Sequence, residues 1–160
     1  MAQTNSGLGE IIVRRLALFT ACAATLLAQP ALAEIGRIKS TTGMVSIQRG
    51  TAIVPAQAGA KLEPGDTVIT GKTGRAGIAF LDDTRFAIGP DSKIKMTTYV
   101  YDRPRQSGTF LTEVKRGSLG VVSGKIAKSG KDAMKVRTPT SMLGVRGTKF
   151  VVEVKGGGDS

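Results

Sequence analysis

Few side chains in this sequence are of the kinds that make and break bonds. Its 160 residues include no histidine and a single cysteine, Cys22, so general-base chemistry near neutral pH lacks its usual agent. The stretch GDTVITGKTGRAG, residues 65–77, invites comparison with a phosphate-binding loop. Gly65, however, precedes Gly71-Lys72-Thr73 by one residue too many, and the segment that follows alternates as a strand, so no helix N-terminus is offered to a phosphate. No nucleotide is expected. Ser123 with Lys125 and Ser129 with Lys131 are the available Ser-Lys pairs, and in a glycine- and lysine-rich stretch they read as solvated groups rather than an activated nucleophile. Asp82, Asp83 and Asp91 have the oxygen chemistry calcium takes, yet they fall at regularly spaced corners and read as turn-capping residues. The expectation is a protein with no catalysis, no cofactor and no metal.

Two stretches have the chemistry of recognition. TTYVYDRPRQSG interleaves Tyr99 and Tyr101 with Arg103 and Arg105, residues that stack on sugar rings or bases while pairing with anions. This is the candidate exposed binding surface, set against the plainer reading of a hairpin tip whose tyrosines cover a sheet edge. The second is TPTSMLGVRGTKFVVEV, residues 138–154. Pro139 forbids helix, and Gly144 and Gly147 permit a left-handed or closely approached backbone on either side of Arg146. Arg146 is expected to reach Asp66 of the Gly65-Asp66 pair, or a set of corner carbonyls, as a structural clamp. The alternative is an anion-receiving nest of backbone N–H groups from Gly144 to Thr148.

The elements that must hold these residues are strands. Short alternating runs, GMVSIQR, DTVIT, RAGIAFL, KIKMT and TKFVVEV, are separated by Gly, Pro, Asp and Ser, and helical periodicity is nearly absent. The apolar pairs Ile78/Phe80, Phe86/Ile88 and Ile94/Met96 recur every eight residues, with Asp82-Asp83 and Pro90-Asp91 at the corners between them. That spacing fits consecutive hairpins of a meander and equally the flat sides of a coiled solenoid. The fold expected is all-β, a short solenoid-like or β-roll stack of short strands, with a β-sandwich or jelly roll as the alternative. Phe80, Phe86, Phe110 and Phe150 are the expected core aromatics. From Val114 to Ala133 the expectation is a strand over Leu119–Val122 and then a mobile basic loop.

Ahead of this domain, Arg14 and Arg15 precede the apolar run Leu16–Ala28, Pro30 and the small-residue triplet Ala31-Leu32-Ala33. These are the parts of a secretory signal peptide, and the run is shorter than the roughly 20 residues of a spanning helix. The organisation expected is a signal peptide over 1–33 cleaved before Glu34, an all-β domain over 34–155 and a disordered tail over 156–160. Cleavage discards Cys22, so neither a disulfide nor a thiolate metal site is available to the exported domain. The whole chain carries 23 Lys and Arg against 12 Asp and Glu. Outside the cytoplasm that excess points away from nucleic acid and toward an envelope protein or an acidic glycan or lipid surface, set against the plainer reading that scattered lysines keep a β-rich protein soluble and its edges unpaired. A membrane attachment is expected only if the leader is retained.

Three blocks in order, GMVSIQRG, LEPGDTVITGKTGRAGIAFLDDTRFAIGPDSKIKM and VRTPTSMLGVRGTKFVVEV, resemble a FecR domain, the module named after regulators of ferric-citrate signalling, across nearly all of residues 38–154. The resemblance implies an extracytoplasmic all-β module that, in the best-known members, passes a receptor's signal to a sigma factor. Those members place a helical anti-sigma domain before a membrane helix. Here residues 1–15 precede the apolar run, so the expectation is a free-standing, non-enzymatic binding or signalling module of the periplasm or cell surface, or alternatively a polyanion-associated envelope scaffold.

Overall fold

Val, Ile and Phe at alternate positions each cover one side of a pleated strand. In the computed structural model, which describes residues 33–147 and 149–156, those runs become twelve strands. They are β1 (Gly36–Thr42), β2 (Val45–Arg49), β3 (Ala52–Pro55), β4 (Lys61–Leu62), β5 (Thr67–Thr70) and β6 (Arg75–Phe80). After them come β7 (Arg85–Ile88), β8 (Lys93–Asp102), β9 (Ser107–Val122), β10 (Met134–Arg137), β11 (Met142–Val145) and β12 (Lys149–Val154). The expected signal peptide, residues 1–33, lies outside the described residues apart from Ala33, as do Thr148 and residues 157–160 of the expected tail. Among the described residues no helix is long and apolar enough to cross a membrane.

The all-β expectation is met by a curled, half-barrel sheet. Its hinge is β9, whose first part pairs with β8 and β10 and whose last part, Gly117–Val122, pairs with β7 and β12. One half therefore runs β3-β2-β5-β8-β9-β10-β11 and the other β4-β1-β6-β7-β9-β12. Among the described residues only the β9/β10 ladder is parallel, and every other ladder is antiparallel. Parallel solenoid rungs are thus replaced by a folded antiparallel sheet, because the two corners of the eight-residue repeat do different work. Asp82-Asp83 closes a β6–β7 hairpin, with Asp83 at φ 68°. Pro90-Asp91 instead carries the chain from β7 in one half to β8 in the other.

β9 makes the same crossing at Gly117, φ 87°, and the two crossings are tied together by one buried serine. The Ser92 hydroxyl donates to the Gly89 carbonyl at 2.9 Å and accepts the Ser118 N–H at 3.0 Å, while the Ser92 N–H donates to Thr70 Oγ1 at 2.9 Å. A bulge at Lys115 and the left-handed Gly117 shift the phase of β9, so Phe110, Thr112 and Val114 point inward before it and Leu119 and Val121 after it.

The two halves close on an aromatic cluster. Phe80 and Phe86 from one side meet Phe110 and Tyr99 from the other, with ring centroids 4.8 Å apart for Phe80–Phe110, 5.5 Å for Phe86–Phe110 and 4.9 Å for Tyr99–Phe110. Phe150, the fourth expected core aromatic, is partly buried against the hydrophobic core. The expected mobile basic loop is overturned. A short helix, α1 (Lys125–Ser129), follows β9 with Ile126 and Ala127 fully buried, because two apolar side chains among the lysines suffice to seat one turn on the core.

Candidate functional site

Each recognition stretch falls on an element that fixes what it can do. The β8–β9 hairpin carries Tyr99, Tyr101, Arg103 and Arg105, and the arginines are exposed at its tip, with Arg105 facing Asp102 at 3.7 Å. Tyr99 does not belong to that exposed surface: it is 8% exposed and lies in the aromatic cluster. The cause is a bulge between Met96 and Thr98, which inserts Thr97 and reverses the alternation of β8. Val100 is turned outward at 61% exposure, while Tyr101 packs partly against the core.

Tyr99 instead completes a buried polar hub. Its hydroxyl donates to Asp82 Oδ1 at 3.1 Å and accepts the Asp82 N–H at 3.0 Å. Asp82 Oδ2 accepts the Thr84 hydroxyl at 2.7 Å and the Ile126 N–H at 3.3 Å, and the Asp82 carbonyl accepts the Lys125 N–H at 2.7 Å. Burial, followed by the neighbouring Asp82 carboxylate, holds the Tyr99 pKa far above its ordinary value of 10. The hub positions α1; its groups are saturated by one another. Asp83 and Asp91 turn outward to Lys125 at 3.1 Å and Arg116 at 3.5 Å, and no cluster of metal-ligating side chains forms among the described residues.

Lys125 and Ser129 of the Ser-Lys pairs are likewise committed. The hydrogen bond from Lys125 to Asp83 raises the lysine pKa, the opposite of what an activated base needs. The Ser129 hydroxyl donates to the Ile126 carbonyl at 2.8 Å. Gly71-Lys72-Thr73 forms the turn into β6 rather than the mouth of a helix.

Asp66 is clamped, but by a different arginine from the one expected. Arg49 donates Nε to Oδ1 at 2.8 Å and an Nη to Oδ2 at 2.7 Å, and Oδ2 also accepts the Glu63 N–H at 2.9 Å. Asp66 is fully buried. Arg146 is exposed and pairs with no acid among the described residues. The reason is topological: β2 and β5 are hydrogen-bonded neighbours, so Arg49 at the end of β2 lies opposite the start of β5 beside Asp66, whereas Arg146 follows β11 at the far edge of the same half.

What the C-terminal block builds is a cleft at the open seam of the curled sheet. Pro139 sits in the tight turn between β10 and β11, closed by the Thr138 N–H to the Ser141 carbonyl at 2.8 Å and the Ser141 N–H to Thr138 Oγ1 at 3.0 Å. That turn, Leu143 of β11, Val152–Val154 of β12, Lys115 and Lys155 line a cleft of about 730 Å³. Among the described residues β11 pairs only with β10, and β12 only with β9, so both strands present a free edge there. Met142 and Leu143 are 49% and 44% exposed. Gly147 has φ 65°, so a left-handed residue turns the chain from β11 toward β12. Gly144 pairs opposite Lys135 inside the β10/β11 ladder; it is a strand residue.

The curled, largely antiparallel sheet, with residues 138–154 gathered at an open seam, defines an all-β domain. The model of the FecR protein family matches residues 66–160, more than half of the chain, and the chain belongs to that family. No curated protein and no solved structure matches it. Sequence reasoning missed the seam because a free strand edge depends on which strands lie side by side, and local pattern does not specify that.

Proposed function

We propose that this is a non-enzymatic extracytoplasmic binding and signalling module of the cell envelope, exported across the inner membrane to the periplasm or cell surface. It works by receiving an extended segment of an envelope protein at the seam between β11 and β12. One observation carries the reading: two strands that, among the described residues, pair on one side only flank a cleft with an apolar wall of Leu143, Val152 and Val154 and a polar rim of Thr138, Ser141, Lys115 and Lys155. An extended peptide adds to such an edge through main-chain hydrogen bonds, and side-chain pockets supply the selectivity. Membership of the FecR family supports a regulatory role in the envelope.

A second reading, a scaffold that holds acidic glycan or lipid phosphate, is favoured by the cations with no ion pair among the described residues, including Arg85, Arg137, Arg146 and Lys149. Salt separates the two, since screening acts within about 10 Å at 0.1 M while a shaped interface persists. The test is a pull-down from envelope extract at low and high salt with the wild type and Leu143→Asp. Protein capture at both salts that Leu143→Asp abolishes supports the seam. Adhesion that vanishes with salt and ignores Leu143 supports the scaffold.

A further inference from the structure

Register across the outer face of the β4-β1-β6-β7-β9-β12 half places side chains in rows that cross the strands. One row runs Lys61, Arg37, Ala79, Arg85, Val122, Lys149. The row beside it runs Ser40, Gly77, Ala87, Gly120, Val151. From Arg37 onward a cation recurs on every second strand, a spacing of about 10 Å at about 4.8 Å per strand. The neighbouring row forms a lane whose floor rises no higher than a methyl or hydroxymethyl group until Val151. A hollow of about 380 Å³ lies on this face, lined in part by Arg85, Ala87, Gly120, Val122, Lys149 and Val151.

The charges on the two rows are unevenly spent. Arg37 is held by Glu34, and Lys61 lies 3.7 Å from the same carboxylate. Arg85 and Lys149 are exposed and have no ion pair among the described residues. The acid closest in register on this face is Glu153, opposite Ser118 and on the side of the lane away from Lys149. A linear anion lying in the lane would therefore meet Arg85 and Lys149 along one flank.

We propose that this lane is a binding track for a linear acidic polysaccharide bearing carboxylates, narrowing the scaffold reading above, on which it rests, to one site and one chemical class. Three features select that class. The track is one residue wide and crosses the strands, which suits a chain rather than a bilayer plane. No residue on either row is aromatic, and Phe86 and Phe150, which also line the hollow, belong to the row between them and pack against the core, so neither row offers bases a ring to stack on. Cations on alternate strands match the length of two sugar units in an extended chain, so one carboxylate per two sugars meets one cation. Ring faces rest on Gly77, Ala87 and Gly120.

Binding of polygalacturonate to the purified protein tests this, with neutral dextran and phosphatidylglycerol vesicles as the other probes. Expected is salt-sensitive binding to polygalacturonate alone, weakened about tenfold or more in Arg85→Ala/Lys149→Ala. Lys72→Ala/Lys131→Ala, which removes equal charge elsewhere, should bind as the wild type does. Ala87→Leu, which fills the lane and changes no charge, should weaken binding as well. Equal loss in the two double variants, or binding untouched by Ala87→Leu and Arg85→Ala/Lys149→Ala, overturns the track and leaves the scaffold reading standing. Binding to vesicles without polygalacturonate also overturns the track. Binding to none of the probes overturns both.

Discussion

The Tyr99 hydroxyl donates to the Asp82 carboxylate at 3.1 Å and accepts that residue's own N–H at 3.0 Å, joining β8 to the β6–β7 corner inside the core. Tyr99→Phe leaves the ring packed but strips a hydrogen bond from each of two buried Asp82 groups. A loss of about 1–3 kcal/mol is expected in chemical denaturation.

The same pair sets an alkaline limit. The unfolded chain ionises Tyr99 near its ordinary pKa of 10, while the folded chain keeps the proton to higher pH. Stability from this group is full below about pH 10 and falls as pH rises beyond it. Urea midpoints measured from pH 9 to pH 11 should decline in the wild type and decline less steeply in Tyr99→Phe.

Asp66 was expected to pair with Arg146, and the fold gives it to Arg49 instead. Arg49→Ala leaves the fully buried Asp66 carboxylate without its cation and should cost about 1–3 kcal/mol. Arg146→Ala, at an exposed position, should change stability by less than about 0.5 kcal/mol. Thermal melts of the two variants check both values.

Phe80 touches Phe86, Tyr99 and Phe110. Phe80→Ala should cost about 3–5 kcal/mol, and an unchanged melting curve would remove the aromatic cluster from the account.

Gly117 carries β9 from one half of the sheet to the other at φ 87°, and a methyl there would run into the backbone and side chain of Ser92. Gly117→Ala should fail to fold or melt far earlier, whereas Gly130→Ala, with open space around it, should be nearly neutral. Circular dichroism melts distinguish these outcomes.

These contrasts show which features the sequence carried. Inward positions from Ala76 to Met96 were legible because period-two alternation runs unbroken through Ile78, Phe80, Phe86, Ile88 and Ile94. It failed at Thr97, where one inserted residue inverts the face of Tyr99 and no local signal announces a bulge. It failed again at Ile126, since two buried apolar residues in a lysine-rich stretch leave almost no periodic trace. The family motif was visible as residues 138–154, but its product, a cleft between two strand edges, depends on β10 pairing in parallel with β9 while β12 pairs antiparallel with the other end of the same strand.

The seam itself is tested most directly by a photoreactive amino acid placed at Leu143 in growing cells, with Lys72 as the comparison position. A discrete protein adduct is expected from Leu143 and none from Lys72. Adducts from Lys72 alone, or equal adducts from both, would contradict the proposed seam.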